Sequence, residues 1–210
     1  MNDSARTQEL IRAVEQADSA PRLLAAVQAL ADARIEAEAG ITTLIAALGY
    51  NNSAAAVVAV QGLIQLGEAA VPLLIEKLDG YNYGARAYAI RALAAIADPR
   101  ALDVLLIAAA TDFAPSVRRA ATKGLGSLRW SKLSPEQIQA AKEKALETLL
   151  QVASDPDWSL RYAALVGLQA LSDQPEVRSA IASQLARMAQ SETDLAVRAR
   201  VILAQQHSSG

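Results

Sequence analysis

The side chains able to do chemistry are few in this chain, and they gather at turns. It has no cysteine, and its one histidine is His207, close to the C-terminal end. Thiol nucleophiles, Cys-ligated zinc and iron–sulfur clusters therefore have no residue to carry them, and a Ser-His-Asp triad or a His-ligated metal has no suitable member. No metal site is expected. The glycines form no phosphate-cradling motif. Tyr, Asp and Arg remain. Their densest run is Asp79-Gly80-Tyr81-Asn82-Tyr83-Gly84-Ala85-Arg86, with Arg91 just beyond it. A tyrosine offers a flat ring for stacking and a hydroxyl able to donate a proton, while an arginine offers a fork matched to a carboxylate. The plainer reading is a turn that needs Gly and Asn, with tyrosines covering a repeat edge. Trp130, Trp158 and Tyr162 are the other rings that could form a site, though such rings more often pack.

These residues sit in a repeat. Ala85-Arg86-Ala87-Tyr88-Ala89-Ile90-Arg91-Ala92-Leu93 aligns with Val117-Arg118-Arg119-Ala120-Ala121-Thr122-Lys123-Gly124-Leu125 and with Leu160-Arg161-Tyr162-Ala163-Ala164-Leu165-Val166-Gly167-Leu168. Val197-Arg198-Ala199-Arg200 starts the pattern again, and Ala54 to Leu63 fits it without the arginine. Self-similarity at this period signals stacked helical hairpins. Each copy follows a turn signal such as Asn51-Asn52-Ser53, Asp112-Phe113-Ala114-Pro115-Ser116 or Asp155-Pro156-Asp157-Trp158-Ser159, where Asp, Asn and Ser can cap a helix. A second break, Leu66-Gly67-Glu68 or Ala97-Asp98-Pro99-Arg100, precedes a further apolar helix. Two helices per unit follow. Gly62, Gly124, Gly126 and Gly167 fall inside helices, where they mark close helix–helix approach. The stretch Arg129 to Glu136 is an insertion ending in a helix start with Pro135 at its first position. Ser4 to Ala39 reads as two helices split at Ser19-Ala20-Pro21, a degenerate first unit.

The expected fold is all-α, a right-handed α-α superhelix of HEAT-like or armadillo-type repeats. It is read as a single domain over 1–206 with about five to six hairpins, followed by a disordered tail at 207–210. Composition agrees, since 52% of residues are apolar but only 4% aromatic, which suits thin layers of small side chains. The half-finished last unit, with Val201-Ile202-Leu203-Ala204, points to a partner. No apolar run is long enough to span a bilayer, and Met1 to Arg6 lacks a signal core, so no membrane insertion and a cytoplasmic location are expected. The net charge of -2 argues against nucleic acid as a partner. Only residues 79–132 are basic, with eight Lys and Arg against four Asp and Glu. A basic middle could focus an anionic ligand, or its arginines could brace neighbouring helices.

The run from Tyr81 to Leu93, continuing through Asp98-Pro99-Arg100-Ala101-Leu102 and Asp112 to Gly126, resembles the F-type subunits of phycocyanin α-subunit phycocyanobilin lyases. The Tyr-Asn-Tyr-Gly-Ala-Arg turn is its specific part. The resemblance implies a heterodimer with an E-type subunit that attaches phycocyanobilin through a thioether to a cysteine of the phycocyanin α subunit, and can remove or transfer it. The pigment is then the substrate, and no cofactor is expected. Relatives that isomerise the pigment carry a His-Cys pair at this turn, so isomerase activity is disfavoured here. On this resemblance Tyr81, Tyr83 and Asp112 are the catalytic candidates. Asp79, Asn82, Arg86, Arg91, Arg118, Trp130 and Trp158 are the pigment-binding ones, with the arginines meeting propionates and Asp79 or Asp112 meeting pyrrole N–H groups. The alternatives are a non-catalytic HEAT-repeat scaffold and, more weakly, a HEAT-like DNA glycosylase.

Overall fold

The computed structural model describes residues 3–78 and 82–208; Asp79, Gly80 and Tyr81 lie outside the described residues. Among the described residues there are twelve α-helices and no strand. The chain divides into two compact units, Met1–Ile96 and Ala97–Gly210, where the sequence reading has one array over 1–206. A hairpin array touches only its neighbours along the chain, so compactness is local by construction.

The first unit holds α1 (Asp3–Glu15), α2 (Ala20–Asp32), α3 (Glu38–Ala47), α4 (Ser53–Leu66), the short α5 (Val71–Glu76) and α6 (Tyr83–Ile96). The second holds α7 (Leu102–Thr111), α8 (Pro115–Leu125), α9 (Pro135–Val152), α10 (Trp158–Leu171), α11 (Pro175–Ser191) and α12 (Leu195–Ser208). In each unit the even-numbered helices stack on one another, α2 on α4 on α6 and α8 on α10 on α12, and the odd-numbered ones form a second row. The repeated motif lies on the even row. Its closing leucines, Leu63, Leu93, Leu125 and Leu168, are all fully buried. The expected second breaks become single 3-10 turns at Gly67–Ala69 and Pro99–Ala101.

Side-chain caps mark the starts of α4, α6, α10 and α12, whereas α2 and α8 begin without one at the N-cap residue. Asn52 accepts from the Ala55 amide at 3.1 Å, and its own amide group reaches the Ala20 carbonyl at 3.0 Å, tying α4 to α2. Asp157 receives the Ser159 amide and hydroxyl, both at 2.8 Å. The insertion after α8 forms a 3-10 turn at Trp130–Lys132, and Ser134 with Gln137 closes a capping box at α9 with Pro135 first in the helix. Three of the predicted close approaches are severe. A Cβ on Gly126 would lie 2.0 Å from the Gly167 carbonyl oxygen, one on Gly62 would lie 2.7 Å from the Ala31 Cβ, and one on Gly167 would lie 2.7 Å from the Thr122 carbonyl oxygen. The last helix continues through Ser208, past residue 207 where a disordered tail was expected, because Gln205-Gln206-His207-Ser208 contains neither Pro nor Gly to stop it.

Candidate functional site

The turn ahead of α6 has Asp79 and Tyr81 outside the described residues, so the structure describes its second half. Asn82 caps α6, accepting from the Ala85 amide at 3.0 Å. That occupies its carboxamide oxygen and makes it an architectural residue first. Tyr83 opens the helix with its side chain largely in solvent, 60% exposed. A cleft of about 250 Å³ lies beside the turn, lined by Thr42, Ile45, Gly49, Lys77, Asn82 and Ala85. Arg86, by contrast, is buried at 8% exposure, and so cannot offer its whole fork to a ligand on the surface. Arg91 is exposed, with its guanidinium carbon 5.7 Å from the centre of the Tyr88 ring, a cation–π distance. Tyr83 and Arg91, eight residues apart, share the solvent face of α6.

In the second unit two of the aligned arginines, Arg118 and Arg161, are braces. Arg118 donates from Nη2 to Asp155 at 2.8 Å and from Nε to the Ala109 carbonyl at 3.0 Å. Arg161 repeats the device more fully: Nε and Nη2 form a fork on Glu192 at 2.8 Å each, and Nη1 reaches the carbonyls of Asp155 and Pro156 at 3.0 Å. The Arg161 guanidinium holds the Glu192 carboxyl down to about 2 against an opposing push from burial. A propionate would have to displace a bonded carboxylate to reach either arginine, so Arg118, expected as a pigment contact, serves as a tie between successive repeats. Asp112 accepts from the Ala114 amide at 2.8 Å in the turn before α8. Trp130 is only 6% exposed; the inserted segment folds its ring inward, and the neighbouring Arg129 amide bonds the Ala97 carbonyl at 2.9 Å. It is a packing residue with little face for a pigment. Trp158, at the first position of α10, is 50% exposed.

Further cations stand on α8. Arg119 and Lys123 lie one turn apart on α8, a helix with three basic and no acidic residue. Arg119 reaches the Ser159 hydroxyl at 3.2 Å, and Lys123 is exposed. The alignment puts Arg118 and Arg161 in one register, but it does not show their distant partners Asp155 and Glu192, so it could not by itself separate these ties from Arg119 and Lys123. Phe113, in the turn before α8, is also exposed. Among the described residues no group of His, Asp or Glu could hold a metal ion, and no helix is long and apolar enough to cross a membrane.

Stacked helical pairs, capped turns and inter-repeat arginines define a HEAT-repeat protein, and the HEAT-repeat family matches residues 41–126, 71–147 and 106–205. A phycocyanobilin lyase subunit beta from Nostoc sp. is 58% identical over 199 residues, covering 95% of this chain and 98% of the relative. The phycocyanin alpha phycocyanobilin lyase CpcF of Synechocystis sp. is 53% identical over 169 residues, 80% of this chain and 78% of that one. A solved complex of CpcE and CpcF of phycocyanin lyase from Nostoc sp. contains a chain 61% identical to this one, with a TM-score of 0.78 over 80% of this chain and 98% of that chain. The chain belongs to the F-type, or beta, subunit family of phycocyanobilin lyases.

Proposed function

We propose that this chain is one subunit of a two-subunit lyase which, with an E-type partner, joins phycocyanobilin to a cysteine of the phycocyanin α subunit. The observation that carries the reading is 58% identity across 98% of the length of a phycocyanobilin lyase subunit. Attachment is an addition. The acceptor's sulfur bonds to the outer carbon of the pigment's ethylidene group, and the ring carbon at the other end of that double bond takes a proton. Because the acceptor supplies the thiol, a chain without cysteine suits the task. Its contribution is to hold the pigment in one conformation and present it to the thiol, which is catalysis by orientation. Tyr83, largely exposed on the first turn of α6, is the proposed proton donor, and Arg91 on the same helix is a proposed pigment contact. The reverse addition would release or transfer the pigment. The setting is the cytoplasm of a cyanobacterium, with phycocyanobilin as substrate.

The test is coexpression of the apo α subunit and the pigment-making enzymes with the E-type subunit, with and without this chain. Covalent pigment on the α subunit should depend on the chain. Equal pigmentation without it would overturn the reading, and retention of partner binding alone would leave a scaffold.

A further inference from the structure

Taken three residues before, one after and five after the repeat arginine, the solvent-facing positions of the even row give each helix of the second unit a stripe along one side. On α8 that stripe carries Arg119 and Lys123. On α10, which stacks against α8, it carries Trp158, Tyr162 and Val166, the tryptophan half-exposed and the other two partly so. On α12 it ends with Leu203, 53% exposed. A basic stripe, an aromatic stripe and an aliphatic edge thus lie side by side. The contact that joins the first two is direct: Arg119 donates to the Ser159 hydroxyl at 3.2 Å, and Ser159 lies one helical turn before Tyr162. The carboxylate beside Arg119, Asp157, is committed to capping α10 through Ser159.

We propose that this face of α8 and α10 seats the tetrapyrrole, with Arg119 and Lys123 receiving its two propionates and Trp158, Tyr162 and Val166 covering one side of its conjugated rings. Cations at i and i+4 stand about 5–6 Å apart at Cβ, a spacing that long side chains can adapt to two carboxylates on adjacent rings. Neighbouring helix axes lie about 8–10 Å apart, so the aromatic stripe falls beside the cations, where the rings bearing those carboxylates would lie. A flat apolar ligand with two negative charges on one edge matches that arrangement. The inference rests on the pigment-attaching role proposed above and assigns it residues which the Tyr-Asn-Tyr turn does not include.

The test uses the heterodimer with its E-type partner, titrated with phycocyanobilin and with phycocyanobilin dimethyl ester, in which both propionates are neutral. R119Q/K123Q should weaken binding of the free acid at least tenfold and leave the ester unaffected. R119K/K123R should restore most of the affinity, and K123Q alone should give a partial loss. Wild-type affinity for the free acid in R119Q/K123Q overturns the proposal. So does an equal loss for acid and ester, or a heterodimer that fails to assemble in R119Q/K123Q but forms in R119K/K123R, which would make the face a subunit interface. Failure of the lyase reading looks different: the wild-type pair would bind the acid more tightly than the ester and still attach no pigment to the α subunit.

Discussion

At the residue scale the structure separates arginines that hold the protein together from those free to meet a ligand. Arg118 and Arg161 are ties, and their partners Asp155 and Glu192 sit in the turns that open the next even helix. The Glu192 pair gives a pH dependence with a definite sign. Its carboxyl titrates at about 2 in the folded protein, held down first by the Arg161 hydrogen bonds. A carboxylate with a lowered folded value stabilises the protein above its unfolded value and loses that contribution as pH falls through the folded one. Between about pH 4.5 and 2, therefore, thermal stability should drop, and Glu192→Gln should flatten that part of the profile while costing about 1.5–3 kcal/mol at neutral pH in urea unfolding. Tyr83 and Arg86, three residues apart, should part company. Tyr83→Ala should keep its melting temperature and lose pigment attachment; Arg86→Ala, which empties a buried position, should lower the melting temperature first. A Tyr83→Ala protein that attaches pigment at the wild-type rate would remove that residue from the site. The sequence displayed the repeated arginine clearly, but an aligned arginine reads the same whether it faces a ligand or a neighbouring turn. Only the partners decide, and they lie thirty or more residues away, as Asp155 does from Arg118 and Glu192 from Arg161.

At the element scale most of the even helices are set by caps at their starts, and glycines allow close crossings. Removing the Asn52 cap by Asn52→Ala should cost about 1 kcal/mol, with some further loss from its bond to α2; denaturant unfolding measures it. Gly126→Ala should be far more damaging. Its methyl would meet the Gly167 carbonyl oxygen at 2.0 Å, a backbone atom that moves only if α8 and α10 separate, so a loss of more than about 3 kcal/mol, or failure to fold, is expected. A Gly126→Ala protein with unchanged stability would mean that the crossing is looser than described. Helix starts at Ser53, Pro135 and Trp158, and the breaks at Gly67 and Pro99, were legible, because Asn, Asp, Pro and Gly act locally through caps, fixed φ and missing donors. The inward turn of Trp130 was not. A tryptophan in an insertion carries no periodicity from which its burial could be read. The extent of α12 was missed for a related reason, since polar residues without Pro or Gly do not mark an end.

At the scale of the whole molecule, two compact units of stacked helices present even-row faces on which rings and cations stand in solvent, while the core is built of Ala, Leu, Val and Ile. A chain this poor in aromatic residues spends several of them on its surface, with Tyr83, Phe113 and Trp158 among its most exposed large side chains. That allocation fits a protein whose work is to hold a conjugated ligand for another protein's thiol, and it offers little to a catalyst that must supply its own nucleophile. The family was legible from one short turn together with the repeat spacing; the ligand-facing residues were not, because they are defined by a register shared between helices far apart in sequence. The measurement that bears most directly on this account is the rate of thioether formation with purified phycocyanobilin and apo α subunit, followed by pigment that stays on the protein under denaturing conditions. The two subunits together should raise that rate at least a hundredfold over either alone, on the scale orientation effects can supply, and give one defined product. An unchanged rate, or an E-type subunit equally fast by itself, would contradict the account.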